Sequence, residues 1–98
     1  MADYTFKKTA GDSYELAGML NFETVPKVLA EAAGLFKQKT GLEIDLAGVS
    51  QANSAAMALL IEWKSLAAAA GSEIRFTNIP VQIEHLAKVC RIDDLLTS

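Results

Sequence analysis

Few side chains in this sequence could carry out acid–base, nucleophilic or metal-binding chemistry. The one histidine, His85, lies between Glu84 and Leu86, and no serine or cysteine is spaced to form a nucleophile–base pair with it. Asp93 and Asp94 are adjacent, so in regular structure they would point apart rather than share a metal ion. The sequence therefore predicts no catalytic residue, no cofactor and no metal site.

The single cysteine adds no further chemistry. Cys90 alone cannot form an internal disulfide or a zinc site, and it fits a reducing cytoplasm. We expect Cys90 to be buried as a small apolar side chain. No glycine-rich phosphate loop is present in the sequence either.

Ser54 has the most informative position among the polar residues. It follows Asn53 where a strand pattern gives way to a helix pattern, within the predicted turn from Ser50 to Ser54. Asn53 or Ser54 is expected to cap the free amides of the helix. A phosphate on Ser54 would also be stabilised at a helix N-terminus, which makes Ser54 a candidate phosphorylation site. Composition alone does not distinguish a cap from a switch.

Composition excludes several classes of protein. The 98 residues are 51% apolar with a net charge of -3, which excludes disorder and disfavours nucleic acid as a partner. The longest apolar run, Ala55 to Ile61, is far shorter than the about 20 residues of a membrane span, and the N-terminus shows no export signal. We expect one cytoplasmic domain over residues 1–98 without direct membrane insertion.

Alternating apolar residues and helical periodicity predict the elements that position these residues. Strands are indicated at 4–9, 14–19, 42–47 and 73–77, because apolar and polar residues alternate there. Helices are indicated after Thr24, the predicted N-cap, with Pro26 in the first turn, and also at 54–70 and at about 81–91. The segment 92–96 is expected to pack back as a short helix or edge piece. The order predicts an α/β fold, ββαβαβα, with a mixed four- to five-stranded sheet and helices mainly on one face.

The helix at 54–70 has two unlike faces. Six apolar residues form its predicted core face: Leu59, Leu60, Trp63, Leu66, Ala67 and Ala70. The opposite face should carry charge if it were a solvated surface, but charged residues only flank it. This face consists of small and apolar residues: Ser54, Met57, Ala58, Ile61 and Ser65.

Two interpretations of the uncharged face are open. Alanine favours helix, and Ile61 could be one scattered exposed hydrophobic residue. A gathered apolar patch marks an interface more often than isolated residues do, and we prefer this interpretation. The predicted partner-binding residues are Asn53, Ser54, Ala55, Met57, Ala58 and Ile61.

The order and spacing of three segments resemble the STAS family, the sulfate-transporter and anti-sigma-factor-antagonist domains. Residues 16–24 resemble the family's second strand and the turn into its first helix, with Asn21 where aspartate is usual. Residues 44–49 and 53–59 resemble its central D-L-x-x-V…D-[ST]-[ST]-G-L signature, and residues 79–92 resemble its C-terminal end. The resemblance covers nearly the whole chain and implies a STAS-like α/β fold.

Departures from the signature bear on the function that the resemblance implies. In anti-sigma-factor antagonists a kinase phosphorylates the second hydroxyl residue, but Ala55 stands there, with Asn53 for the acid and Ala56 for the glycine. Ser54 keeps the first hydroxyl only. The pattern resembles the small MlaB-like subunits of ABC-type phospholipid transport systems.

That resemblance implies a cytoplasmic accessory subunit that binds the transporter's ATPase subunit through the start of its second helix. Such a subunit would lie at the inner face of the inner membrane. The alternative is an anti-sigma-factor antagonist that exchanges partners when a kinase phosphorylates Ser54.

Overall fold

The computed structural model describes residues 3–32, 34 and 41–91. Its elements follow the predicted order ββαβαβα: β1 Tyr4–Ala10, β2 Ser13–Leu20, α1 Val25–Ala32, β3 Gly41–Ala52, α2 Ser54–Ala69, β4 Glu73–Thr77 and α3 Val81–Val89. The predicted α/β fold class is therefore confirmed. The predictions for the segment 92–96 and for Asp93 and Asp94 lie outside the described residues.

The four strands form one mixed sheet in the order β1-β2-β3-β4. β1 and β2 are antiparallel and make a hairpin, whose turn contains Gly11 at a φ of 53°. β2 pairs with β3 and β3 with β4 in parallel, so α1 and α2 are the crossover connections between parallel strands. The amino ends of these three strands therefore share one edge of the sheet, and their carboxyl ends share the other.

The helices cover one face of the sheet. The odd-numbered residues of β2 and of β3 up to Asp45 are partly exposed, whereas the large apolar residues at the even-numbered positions between and next to them are buried, as the alternation predicts: Tyr14, Leu16, Leu20, Leu42, Ile44 and Leu46. α2 lies on the buried face and contacts α1, α3, β3 and β4. The fully buried Trp63 ring of α2 lies 5.9 Å from the ring centroid of Phe6 and 6.2 Å from that of Phe76. These aromatic contacts join α2 to both outer strands of the sheet.

Two residues predicted to be buried at helix ends are exposed. Cys90 is the C-cap of α3, because this helix ends at Val89, and the prediction of a buried Cys90 is therefore wrong. Ala70 is likewise the exposed C-cap of α2, followed by Gly71 at a φ of 72°. Periodicity marks the face of a helix, but a residue past the last helical turn leaves that face.

Candidate functional site

The parallel strands β2, β3 and β4 end at one edge of the sheet, where open α/β sheets place their sites. We call residues 19–24, 51–61 and 77–81, which end these strands and follow them, the carboxyl edge. The segment after β2 leads into α1, the residue after β3 leads into α2, and the segment after β4 leads into α3. The predicted partner-binding residues all lie in the middle one of these three segments.

β3 extends further toward this edge than its sequence indicates. Ser50, Gln51 and Ala52 are predicted as part of a turn, but the structure pairs the end of β3 with β2 up to Ala52. Two register shifts break the alternation of buried and exposed residues along this pairing. At the first shift the strands are so close that a Cβ on Gly48 would lie 2.7 Å from that of Ala17. β3 therefore passes into α2 through a single residue, Asn53.

Asn53 caps α2. Its backbone is extended, with φ at -127°, and its side-chain Oδ1 accepts a 2.8 Å hydrogen bond from the backbone N–H of Ala55. Its carbonyl accepts from the N–H of Ala56 at 3.0 Å. The predicted choice between Asn53 and Ser54 is thus decided in favour of Asn53. Ser54 is the first helical residue, and its side chain is exposed.

The outward side of α2 carries small and apolar groups near its start. Ser54 and Ala58 are exposed, and Met57 and Ile61 are half-buried. Lys64, which flanks this side, places its Nζ 5.7 Å from the ring centroid of Phe76 on β4. Burial against this surface lowers the pKa of the Lys64 ammonium, while the carboxylate of Glu73 acts in the opposite direction. The Lys64 ammonium, which flanks this side, therefore lies over a ring of β4.

Ala55 differs from the other predicted partner-binding residues. It is only 4% exposed and belongs to the core cluster, together with Ala56 and Leu59. The helix turns by about 100° per residue, which places the Ala55 methyl group on the inward side when Ser54 points outward. The structure thus places five of the six predicted residues at the surface, whereas Ala55 packs in the core beneath them.

A residue that sequence reasoning missed lies at the carboxyl edge. Phe22, in the segment between β2 and α1, is 73% exposed. The sequence offered little signal for this, because a phenylalanine between two apolar segments normally belongs to the core. What indication there was came from its neighbours Asn21 and Thr24, because side chains of these types often stabilise turns.

Asn21 and Thr24 brace the segment that carries Phe22. The Asn21 Oδ1 accepts hydrogen bonds from the backbone N–H groups of Glu23 and Thr24 at 2.9 and 3.0 Å. The buried Thr24 hydroxyl accepts from the Asn21 N–H at 2.9 Å and donates to the Met19 carbonyl at 2.8 Å. Thr24 precedes α1 as predicted, but these bonds of its hydroxyl hold the turn. Phe22 is thus exposed on a hydrogen-bonded turn.

A groove of about 140 Å³ lies between the ends of β2 and β3. We call it the carboxyl-edge groove, and its lining residues are Met19, Leu20, Asn21, Gln51, Ala52 and Asn53. On the far side of the edge, after β4, Val81 is 76% exposed at the start of α3. Two of the three large hydrophobic residues that are most exposed among the described residues, Phe22 and Val81, thus lie at the carboxyl edge.

The described residues show no arrangement for metal binding. Within residues 3–32, 34 and 41–91, no three His, Cys, Asp or Glu residues are close enough to hold a metal ion together. His85, the residue considered first for acid–base chemistry, is exposed on α3. In the same part of the chain, no helix has the length and apolar character that a membrane crossing requires.

Asp45 is held at the first register shift of β3. Its Oδ1 accepts a 3.0 Å hydrogen bond from the Asn78 side-chain amide and a 2.8 Å bond from the backbone N–H of Ala47. The bond from Asn78, followed by that from Ala47, lowers the pKa of the Asp45 carboxyl group. Asn78 itself adopts a left-handed backbone with a φ of 54°. This pair connects β3 to the segment after β4.

Comparison with known families identifies the chain. The profile of the family described as "Mlab, STAS domain" matches residues 8–97. The chain belongs to the STAS domain family. The resemblance seen in the sequence is therefore confirmed, and the match spans β2 to α3 together with part of β1.

Solved structures support the STAS fold. The unphosphorylated anti-sigma factor antagonist SpoIIAA superposes with a TM-score of 0.73 at 11% identity, over 96% of this chain and 85% of that one. The phosphorylated form of SpoIIAA, the Bacillus cell fate determinant, gives 0.71 at 11% identity, over 96% and 88%.

A third similar structure is the NMR structure of the protein TM1081. It gives a TM-score of 0.71 at 16% identity, over 98% of this chain and 78% of that one. At such low identities these similarities show the fold alone. None of the curated proteins matches the chain significantly.

Proposed function

We propose that this STAS domain performs no catalysis and works by binding another protein through its carboxyl edge. The observation that carries the proposal is the uncharged outward side of α2, together with the braced, exposed Phe22 at the same end of the sheet. Surface patches of this kind mark interaction sites, since a solvated helix side normally carries charge. The contact residues are Asn53, Ser54, Met57, Ala58 and Ile61, with the buried Ala55 beneath them.

The favoured partner is the ATPase subunit of an ABC-type lipid transporter, in a system of the Mla kind that maintains the lipid asymmetry of the outer membrane. Two observations support this choice: the matching family profile is described by the name Mlab, and Ala55 has no hydroxyl group to accept phosphate. In this role the domain is a cytoplasmic accessory subunit that regulates the ATPase. It reaches the inner face of the inner membrane through the complex.

Arginine substitutions with controls on the same helix test this proposal. Ser54→Arg and Ala58→Arg place a long charged side chain on the proposed face. Ser65→Arg and Ala69→Arg make the same changes eleven residues further along, on the same side of α2 and about 16 Å away. All four positions are exposed, so thermal stability should remain nearly unchanged.

The two pairs should differ in binding. S54R and A58R should weaken binding of the ATPase about a hundredfold or more, because the added charge would be buried without a partner. S65R and A69R should still co-purify with the ATPase. Equal binding by all four variants would place the interface elsewhere.

The alternative function is that of an anti-sigma-factor antagonist. It is favoured by the exposure of the Ser54 side chain at a helix N-terminus, where a phosphate is electrostatically stabilised. It predicts that a cognate kinase adds one phosphate to Ser54 and that the modified protein no longer binds the anti-sigma factor. Intact-mass measurement after incubation with that kinase separates the two functions, since a protein that gains no mass is not such a switch.

A further inference from the structure

The solvent side of α3 has a line of weakly polar and apolar residues at its centre. Ile83 and Ala87 form the buried side of this helix and belong to the core cluster. Because an α-helix turns by about 100° per residue, Val81, His85 and Val89 lie in one line on the opposite side. All three are exposed, Val81 by 76% and Val89 by 68%. We call these three residues the α3 stripe, and it is a candidate contact surface.

Two opposite charges lie along one flank of the α3 stripe. Glu84 in the first turn and Lys88 in the last turn are both exposed, one helical turn apart. The other flank carries the uncharged Gln82. A flank with both signs of charge is complementary to a surface that carries the same two charges in the reverse order. A second copy of α3 that runs antiparallel to the first supplies this order.

An antiparallel pair of α3 helices with His85 at the symmetry axis accommodates both the stripe and the charges. The contact is self-complementary, because Val81 of each copy meets Val89 of the other. Glu84 then lies only about 3 Å along the helix axis from Lys88 of the second copy, and the two opposed helix dipoles attract each other. A parallel pair would place like charges side by side, which is unfavourable.

We propose that the α3 stripe is a self-association surface through which two copies of this chain form an antiparallel helix pair. α3 has nine residues and is about 13 Å long, so the contact buries less than the roughly 1,200 Å² of stable complexes. The dimer is therefore weak and reversible, with a Kd of about 0.1–1 mM. The stripe shares no residue with the surface proposed to bind the ATPase, so the inference does not rest on the proposed function.

Cysteine cross-linking tests the position of the symmetry axis. Cys90→Ser first removes the native thiol, which is exposed. In that background His85→Cys places one thiol at the axis, opposite its own copy. Gln82→Cys places the same group on the same helix but about 9 Å along the axis from its own copy, too far for a disulfide. Mild oxidation should convert at least about five times more of C90S/H85C than of C90S/Q82C into a covalent dimer.

Charge reversal tests the antiparallel orientation without a covalent bond. Lys88→Glu brings carboxylates of the two copies together, so sedimentation equilibrium should show a Kd raised at least about threefold. Combining it with Glu84→Lys restores opposite charges and should return the Kd to near the wild-type value. Val89→Asp should abolish association, because its charge would be buried without a partner. Melting temperatures show whether each variant is folded.

Three results would overturn the proposal. The first is a wild-type protein that stays monomeric at about 1 mM. The second is equal cross-linking of the two cysteine variants, and the third is a double reversal that associates no better than K88E. Binding of the ATPase is measured separately with Ser54→Arg, so the failure of either proposal leaves the other in place.

Discussion

Grooves lie at both ends of the parallel strands, and they differ in charge. The groove at the amino ends has a volume of about 260 Å³ and is lined by seven residues. Three of them are Ser13, Gly41 and Leu42, and the other four are ionisable: Asp12, Glu43, Glu73 and Arg75. The carboxyl-edge groove has no ionisable lining residue. Burying charged groups under a partner has a high desolvation cost, whereas burying apolar groups is favourable and amides can be buried where the partner supplies hydrogen bonds. The same sheet thus offers one end suited to water and one suited to a partner.

The two ends also differ in how tightly the backbone is held. Gly18, near the carboxyl edge, has a φ of 100°, and a Cβ there would lie 2.4 Å from the Asp3 carbonyl oxygen. Gly11, in the hairpin turn at the amino end, has a φ of 53° with open space around it. The carboxyl end therefore depends on a close approach between β1 and β2, while the other end requires only a left-handed turn.

Replacing each of these two glycines by alanine should give the largest difference between the two ends, measured as the loss in free energy of unfolding. Gly18→Ala should lower the free energy of unfolding by about 3 kcal/mol, because the strained φ adds to a clash with backbone. Gly11→Ala should cost about 1 kcal/mol, since strain alone acts there. Urea denaturation of both variants measures the difference. If the two losses are equal, the close packing at the carboxyl end does not contribute to stability.

Removing an exposed apolar side chain from each end should have the next largest effect. Phe22→Ala should weaken binding of the ATPase by about 2 kcal/mol, because an aromatic residue on a preorganised turn makes a large contact. Val89, 68% exposed at the other end of α3, provides the control, and Val89→Ala should change binding by less than about 0.5 kcal/mol. Calorimetric titration compares them. A larger loss of binding in Val89→Ala than in Phe22→Ala would mean that the partner does not bind at the carboxyl edge.

Lowering the pH should have the smallest effect on stability, and it should act through Asp45 on β3. The folded pKa of Asp45 is lowered, first by its bond from Asn78, so the stability it adds is present above its unfolded pKa and is lost as pH falls through the folded value. This places the loss below about pH 4. Asn78→Gly tolerates the left-handed backbone but lacks the amide, so the pKa of Asp45 should rise toward its ordinary value. Carboxyl carbon shifts followed by NMR titration measure both, and an unchanged pKa in N78G would exclude Asn78 as the main cause.

Much of this contrast could be predicted from the sequence where a pattern is regular. Alternation in residues 42–47 predicted a strand covered on one face, and the small residues after Asn53 predicted an uncharged helix side. The continuation of β3 to Ala52 could not be predicted, because two register shifts break the period of two that identifies a strand. The exposure of Phe22 was also hidden, since it depends on hydrogen bonds among Met19, Asn21 and Thr24 rather than on any local period. No local sequence pattern identifies the partner.

The most direct test of the carboxyl edge as the binding surface is cross-saturation from the unlabelled ATPase subunit to this chain, deuterated and labelled with ¹⁵N. If the carboxyl edge binds the partner, the amides of Phe22, Ser54 and Ala58 should lose intensity, while those of Asp12 and Glu73 at the amino end should not. Intensity loss at Asp12 and Glu73, with Phe22 and Ser54 unaffected, would show that the partner binds at the amino end instead.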